Sequence, residues 1–277
     1  MKILKEQEAE IWVQEPGLQG VFEQIEKAAR VCYQSHDLIK EGSYEHIVTA
    51  LIKNKHTAML EHGTIYLQFN EKNTDETTFN HLVNKYAQNN FSIVYLDEDI
   101  READVTTNYR VIYEQGWMND LKYLCEPTKY HEKRITVCMT TNLQVATEFL
   151  RHRLMSFAME STRYCCYDKE KFGNDITFIL PPWLKNASKE DCIEWANAMQ
   201  DAENHYMRMR AKGWKAEQAA QVLPKATKTT LVMTGMESFW NMLFDLRYFE
   251  KTGPAHPQAK ELASIIYKLI HNDEKLE

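Results

Sequence analysis

The chain has 277 residues, of which 44% are hydrophobic and 26% are charged. Its nine glycines and seven prolines exclude collagen-like and low-complexity classes, and a chain of this length buries enough surface to fold without disulfides or structural metals. Thirty-three Lys and Arg against 40 Asp and Glu give a net charge of -7, which argues against non-specific nucleic-acid binding. Any bound anion therefore needs a local basic cluster.

The cysteine pattern and the hydropathy pattern limit where the protein acts. The six cysteines show no C-x-x-C spacing, and the first ten residues do not resemble a signal peptide, so we expect reduced thiols in the cytoplasm. No apolar run approaches the roughly 18 residues of a membrane span, so we expect no membrane association. We also expect no metal site.

The alternation of apolar and polar residues predicts an α+β domain without strict βαβ repeats and without a glycine-rich phosphate loop. From the amino terminus, the pattern predicts a helix over 17–35, a helix over 44–55 and a strand over 63–69. Further along, it predicts strands over 134–140 and 175–180, and helices over 142–154, 189–212, 216–222, 238–249 and 256–271.

The composition shifts toward Asn, Asp, Glu and Thr between residues 70 and 130. We interpret this stretch as an inserted subregion without a strong core of its own, with a helix near 79–88 and a strand near 92–96, inside one domain that spans 1–277. The acidic run from Asp97 to Glu102 lacks the spacing of a calcium loop and predicts a solvated turn.

A basic cluster lies at the end of the helix predicted over 142–154. Arg151, His152 and Arg153 are consecutive, and Ser161 and Arg163 come shortly after them. Because arginine binds phosphate through two parallel hydrogen bonds, the three arginines and the Ser161 hydroxyl predict a phosphate cradle. The alternative is a solvated helix end whose charges meet Glu148 or Glu160.

The whole run resembles the signature of the ThyX-type flavin-dependent thymidylate synthases, in which Arg-His-Arg is followed by seven residues, Ser and then Arg-Tyr. Other blocks of the chain match the same family in the same order. They are Ala29–Tyr33, His56–His62, Val222–Pro224, Leu246–Arg247 and His256–Gln258. The resemblance covers most of the chain outside residues 70–130.

The resemblance implies a ThyX-like α+β domain with a twisted, mainly antiparallel sheet packed with helices, assembled as a homotetramer with active sites between subunits. It further implies FAD as cofactor, reduced by NADPH, and transfer of a one-carbon unit from methylenetetrahydrofolate to dUMP. In this family the protein supplies orientation and electrostatics, and no enzyme thiol attacks the pyrimidine. Cys165 and Cys166 suggest the thiolate mechanism of the flavin-free class, but they lack its Pro-Cys context.

Residue by residue, the resemblance implies two catalytic positions, Arg247 and Ser161, with Arg247 against the uracil ring. The positions carried over for the cofactor are His56, Ala58, Glu61, Arg151, His152, Arg153 and Met159. Those carried over for the substrate are Glu148, Arg151, Glu160, Ser161, Thr162, Arg163 and Arg247. Taken alone, His56 is more often structural, and Arg247 could simply interact with the carboxyl end of its helix.

Several ligand positions depart from the family pattern. Ala220 replaces an arginine for the dUMP phosphate, a loss of about 1.5 to 3 kcal/mol unless Lys225 or Lys228 compensates. Other departures are Glu148 for glutamine, Ala58 for a small hydroxyl residue, Met159 for a polar residue, and Met236 and Ser238 for Asn and Arg of shorter members.

These departures leave two alternatives to a dTMP synthase. One is a flavin-dependent enzyme acting at carbon 5 of another pyrimidine nucleotide, for instance a hydroxymethylating one. The other is a degenerate relative that binds a nucleotide or nucleic acid without catalysis. The net negative charge argues against a nucleic-acid partner.

Overall fold

The computed structural model describes residues 1–272 and confirms an α+β architecture. The strands are β1 (Lys2–Leu4), β2 (Glu8–Trp12), β3 (Thr64–Asn70), β4 (Ile93–Asp97), β5 (Glu102–Asn108), β6 (Arg134–Asn142), β7 (Ser156–Met159), β8 (Thr177–Ile179) and β9 (Lys228–Met236). The α-helices are α1 (Gly17–Val31), α2 (Ser43–Lys53), α3 (Glu76–Ala87), α4 (Tyr109–Glu114), α5 (Leu143–Phe149), α6 (Lys189–Ala211), α7 (Ala216–Ala219), α8 (Glu237–Arg247) and α9 (Pro257–Asn272).

A four-stranded antiparallel sheet in the order β2-β6-β9-β7 forms the centre of one half of the fold. β6 and β9 are its interior strands and pair from Arg134 opposite Met236 to Asn142 opposite Lys228. Helices α5, α8 and α9 bury Phe149, Trp240 and Ile266 with residues of this sheet. The sheet confirms the expectation of mainly antiparallel pairing, although the strands form three separate sheets.

The segment over residues 70–130 is more ordered than its composition predicts. β5 is the middle strand of an antiparallel sheet in the order β3-β5-β4, and the missed strand β5 is almost wholly buried. Phe79, Leu82 and Tyr86 of α3 join Val105 in a hydrophobic cluster with Ile25 of α1. The segment thus has no separate core of its own, because its apolar side chains complete a core that they share with β3 and α1.

A third cluster lies under α6, where Tyr206 packs with Tyr167 and Phe178. β8 pairs in parallel with β1, and α6 matches its predicted bounds within one residue. The predicted helix over 216–222 divides into α7 and a 3-10 turn over Ala220–Val222.

Helix α5 ends earlier than predicted, and this change positions the basic cluster. The Asn142 side chain accepts a hydrogen bond from the Val145 amide and begins the helix, which ends at Phe149 instead of residue 154. Arg151, His152 and Arg153 therefore lie in a turn between α5 and β7, which we call the basic turn. The short helix frees these side chains to face different directions.

Gly235 on β9 fixes the far end of the basic turn. A Cβ atom at this glycine would lie 2.2 Å from the sulfur of Met155, which is buried against the strand. The missing side chain therefore lets the turn pack closely on the sheet. Within residues 1–272, no helix is long and apolar enough to cross a membrane.

Candidate functional site

Arg247, at the end of α8, is held against the last turn of α5. Its Nη1 lies 3.0 Å from a Glu148 carboxylate oxygen and its Nη2 donates to the Glu148 carbonyl at 3.1 Å. Its Nε contacts His152 Nε2 at 3.4 Å, and Arg151 reaches the same carboxylate at 3.6 Å. We call these four residues the Arg247 cluster.

His152 enters this cluster as a neutral side chain. Burial, followed by the positive charges of Arg247 and Arg151, lowers the pKa of His152 from 6.5 to about 4. A neutral imidazole can accept a hydrogen bond from the guanidinium through Nε2, whereas a protonated one would repel it. The cluster borders an open cavity of about 540 Å³ whose opposite wall is the loop from Thr252 to Ala255.

Arg153, the third residue of the basic turn, faces a second cavity of about 460 Å³. Its charged lining residues are Glu61, Arg110, Glu114, Arg134 and Arg153, and its apolar lining residues include Phe91, Phe157, Met236 and Phe239. We call this space the Glu61 cavity. Its walls come from the β3-β5-β4 sheet and from the four-stranded sheet, because Arg110 follows β5 and Met236 ends β9.

Arg134 begins β6 at the back of the Glu61 cavity. Its Nη1 donates to the Glu61 carbonyl at 2.8 Å and contacts the Thr64 hydroxyl, while its Nη2 contacts the Ser156 hydroxyl at 3.2 Å. Burial lowers the pKa of Arg134 to about 10. Within residues 1–272, the side chain forms these contacts with neutral oxygens and no ion pair, so its charge can match an anion in the cavity.

His62 lies next to Glu61 and is completely buried. Its Nδ1 lies 2.8 Å from the Thr234 hydroxyl, and burial together with the charge of Arg134 lowers its pKa to about 3. The side chain is therefore neutral and supports the wall between the 3-10 helix Thr57–His62 and β9.

Glu160 and Ser161 lie in a third place, at the end of β7. The buried Glu160 carboxylate accepts from the Tyr167 hydroxyl at 2.9 Å and from Lys228 Nζ at 2.8 Å, and it also accepts from the Thr230 amide. The Glu160 amide donates to the Thr230 carbonyl. The Glu160 side chain is thus part of an internal hydrogen-bond network.

The same network corrects one expectation. Lys228 is one of the two lysines, with Lys225, that could replace the charge missing at Ala220. The Lys228 ammonium is instead bound to Glu160. Ala220 itself packs beside the apolar cluster under α6. Lys228 is therefore committed to an internal carboxylate and does not replace the missing arginine.

The predicted phosphate cradle is not formed within one chain. Arg151 borders the cavity beside the Arg247 cluster, and Arg153 borders the Glu61 cavity. Arg163 pairs with Glu217 at 2.9 Å. The Ser161 hydroxyl accepts from the Arg163 amide, and the Ser161 amide donates to the Cys32 carbonyl. The three arginines are apart in the single chain because α5 ends at Phe149 and the turn after it brings Arg151 and Arg153 to different cavities.

The remaining sequence-predicted positions line neither of the two cavities. His56 and Ala58 are exposed at the 3-10 helix that carries Glu61, and Thr162 is partly buried beside Ser161. Met159 is a partly buried residue of β7. Burial raises the pKa of Cys165 to about 12, which opposes a thiolate nucleophile there.

Sequence reasoning did not identify Arg110 and Arg134. Arg134 had one signal, a charged residue at the first position of a strand that is otherwise uncharged, whereas Arg110 lies in the segment interpreted as an insertion. Within residues 1–272, no group of three or more Cys, His, Asp or Glu residues is arranged to hold a metal ion.

These features define a class of protein: an α+β fold with arginine-lined cavities suited to anionic ligands. A family model described as thymidylate synthase complementing protein, Thy1, matches residues 130–273, just over half of the chain. The chain belongs to this family.

Curated relatives carry the name flavin-dependent thymidylate synthase. The chain is 29% identical to the Pyrococcus furiosus protein over 104 residues, 38% of this chain and 41% of the relative. It is 30% identical to the Synechocystis protein over 151 residues, 49% of this chain and 65% of the relative. The chain thus spans between about two fifths and two thirds of the length of these relatives.

Among solved structures, the chain is similar to a UMP/dUMP methylase, PolB, from Streptomyces cacaoi bound with 5-Br dUMP. The identity is 16%, the TM-score is 0.46, and the match covers 98% of this chain and 93% of the other.

Proposed function

We propose that the protein is a flavin-dependent thymidylate synthase acting in the cytoplasm. It converts dUMP to dTMP with methylenetetrahydrofolate as carbon donor and FAD reduced by NADPH. The observation that carries this proposal is the position of the Arg-His-Arg signature. It lies inside the segment that matches the family model, and its turn borders two arginine-lined cavities.

Arg247 is the proposed catalytic residue that faces the pyrimidine. Glu148 and His152 hold its guanidinium by three contacts, so the charge is preorganised and needs little rearrangement during reaction. A fixed cation stabilises negative charge that develops on the uracil ring. Ser161 is the second proposed catalytic residue, and Glu148, Arg151, Glu160, Thr162 and Arg163 are proposed to surround the nucleotide.

The Glu61 cavity has the chemistry that a flavin dinucleotide requires. Arg110, Arg134 and Arg153 suit a pyrophosphate, and the Phe91 and Phe239 side chains suit an aromatic ring. FAD, when bound, supplies the hydride. The proposed cofactor residues are Glu61 and Arg153 in this cavity, Arg151 and His152 at the cavity beside the Arg247 cluster, and His56, Ala58 and Met159, which line neither cavity.

A homotetramer with shared sites is proposed on two grounds. The nucleotide and flavin positions lie in three separate places within one chain, so a complete site requires residues from more than one copy. Exposed apolar side chains also lie at the basic turn: Leu150 and Leu154 flank it in sequence, and Leu246 lines the same cavity as Arg151 and His152. Burying such a patch against another copy would stabilise the assembly.

A second candidate function follows from Ala220 and Lys228. Because Ala220 is apolar and Lys228 is bound to Glu160, the phosphate position that the resemblance implies lacks its arginine and keeps the exposed Lys225 as its remaining candidate cation. Such a site could suit a flavin-dependent enzyme that modifies carbon 5 of a different pyrimidine nucleotide, for instance by hydroxymethylation.

The test combines a spectrum with a product mass. Purified protein is reconstituted with FAD, and its absorption is recorded before and after dUMP is added. The holoenzyme is then incubated with dUMP, methylenetetrahydrofolate and NADPH, and the molecular mass of the nucleotide product is measured by mass spectrometry. We expect flavin retention and a methyl group on the product. A hydroxymethyl product selects the second candidate, and a colourless protein without product contradicts both.

A further inference from the structure

Arg110 reaches the Glu61 cavity from the segment over residues 70–130. It is the second residue of α4, which follows β5 directly. The Asn108 side chain accepts from the Val111 amide and fixes the beginning of this helix. The segment therefore contributes a well-placed cation to a cavity that it shares with Glu61 and with residues of the family-matched half, such as Arg134 and Arg153.

Arg110 connects two carboxylates at the cavity. Its Nη1 contacts Glu61, and its Nε donates to Glu114 at 2.9 Å. The Thr57 hydroxyl donates to the same Glu114 oxygen at 2.6 Å. Burial acts to lower the pKa of Arg110, but the hydrogen bonds to Glu114 and Glu61 outweigh it and raise that pKa above its ordinary value.

The balance of positive and negative charge in the Glu61 cavity depends on the Arg110 side chain. Three arginines and two glutamates line the space, so positive charge exceeds negative charge by one. Arg134 and Arg153 form no ion pair within residues 1–272, and Arg110 neutralises much of the negative charge of both carboxylates. Without Arg110, Glu61 and Glu114 would face an incoming phosphate with no cation between them and it.

We propose that Arg110 determines the cofactor specificity of the Glu61 cavity by making it accept a phosphate-bearing flavin in preference to a phosphate-free one. The inference deepens the proposed function and rests on it, because it takes flavin as the occupant. The segment over residues 70–130 thus selects the ligand through charge, in addition to completing a core.

The test compares FAD with riboflavin, which carries no phosphate. Binding to the full chain is followed by quenching of flavin fluorescence at moderate salt. Replacing Arg110 with glutamine (Arg110→Gln) should weaken FAD binding by about tenfold, equivalent to about 1.4 kcal/mol, because the two carboxylates are left facing the pyrophosphate. Riboflavin binding should change less than about twofold, since no phosphate meets those carboxylates.

A rescue variant separates charge from structure. In the double variant Arg110→Gln with Glu114→Gln, one repulsive carboxylate is gone, so part of the FAD affinity should return. Lys72→Gln is the matched control, because it removes a cation from an exposed position in the same segment away from the cavity. Its FAD binding should equal that of the wild type.

Three results would overturn the inference. They are equal losses of FAD and riboflavin binding in Arg110→Gln, unchanged FAD binding in that variant, and a double variant no better than the single one. The proposed function fails separately if the wild type binds FAD but forms no modified nucleotide. A wild-type protein that binds neither flavin contradicts both.

Discussion

The Arg247 cluster and the Glu61 cavity carry the same surplus of one positive charge but distribute it in opposite ways. In the Arg247 cluster, the more buried arginine has the closer ion pair: Arg247 is 15% exposed and lies 3.0 Å from the Glu148 carboxylate, while Arg151 is 73% exposed and lies 3.6 Å from it. In the Glu61 cavity, Arg110 is 34% exposed and bound to two carboxylates. Arg134, at the back, contacts only neutral oxygens within residues 1–272.

This difference separates two uses of an arginine. A buried guanidinium with its own carboxylate keeps one orientation and gains little from a further anion. A buried guanidinium that is satisfied by carbonyl and hydroxyl oxygens keeps its full charge and gains most when an anion arrives. The first arrangement suits a fixed charge beside a reacting ring, and the second suits the binding of a phosphate.

The largest expected effect concerns the fixed charge of the Arg247 cluster. Replacing Arg247 with lysine keeps the charge but cannot reproduce its three contacts with Glu148 and His152. We expect kcat for nucleotide methylation to fall by about 100-fold or more, measured at saturating dUMP. Arg208→Lys, on the exposed face of α6, is the control and should keep wild-type turnover.

The next largest effect is expected when Arg247 loses its carboxylate partner and, like Arg134, keeps its contacts with uncharged groups. Glu148→Ala removes the carboxylate and should lower the free energy of unfolding by about 2 kcal/mol, between the values for exposed and buried pairs. Glu148→Gln should cost only about 1 kcal/mol, because the amide oxygen still accepts. Urea denaturation measures both. Asp245→Ala breaks a more exposed pair with Lys251 and should cost less than about 0.5 kcal/mol. Equal losses in all three variants would contradict the distinction.

The reverse change gives Arg134 a carboxylate partner, as Arg247 has in the wild type. Ser156→Asp places a carboxylate beside Arg134 Nη2, which lies 3.2 Å from the Ser156 hydroxyl. The internal carboxylate would compete with a ligand phosphate, so FAD should bind about tenfold more weakly. Ser156→Ala removes the hydroxyl without adding charge, and its affinity should stay within about threefold of the wild type. If Ser156→Asp binds FAD as the wild type does, Arg134 does not serve the cofactor.

The smallest effect is a dependence of stability on pH that both regions share. His152 and His62 have pKa values lowered from 6.5 to about 4 and about 3, so the unfolded chain binds protons that the native chain does not. Their contribution is complete only well above the unfolded-state pKa of 6.5 and is lost as the pH falls through that value toward the native pKa values. Lowering the pH from about 7.5 to about 6.5 should cost roughly 0.4 kcal/mol per histidine.

Urea denaturation at several pH values measures this slope. It should flatten in a His152→Asn variant and stay unchanged in His46→Asn, which alters an exposed residue of α2. A stability that rises as the pH falls through this range would contradict the assignment of both histidines as neutral.

Local periodicity predicted the amphipathic helices α1, α6 and α9 well. It missed β9, because the run from Lys228 to Met236 is buried on both faces and mixes threonines with apolar residues, so it shows no alternation. It also extended α5 by five residues, since no glycine or proline marks the end at Phe149.

The candidate site was predictable only as far as its motif. The Arg-His-Arg run was visible in the sequence, and family membership supports its importance. The pairing of Arg247 with Glu148 joins residues 99 positions apart, and that of Arg110 with Glu61 joins residues 49 positions apart. Such pairs depend on how the two halves pack, and no local pattern encodes them.

The basic turn has a consequence for any attempt to alter this protein. Arg151 and His152 border one cavity and Arg153 borders the other, and Met155 anchors the turn against Gly235. The order of the three residues thus decides which cavity each side chain borders. Inserting or deleting a single residue here would exchange the assignments of neighbouring side chains while leaving the composition of the motif nearly intact. The spacing of these residues, more than their charge, decides which cavity each side chain reaches.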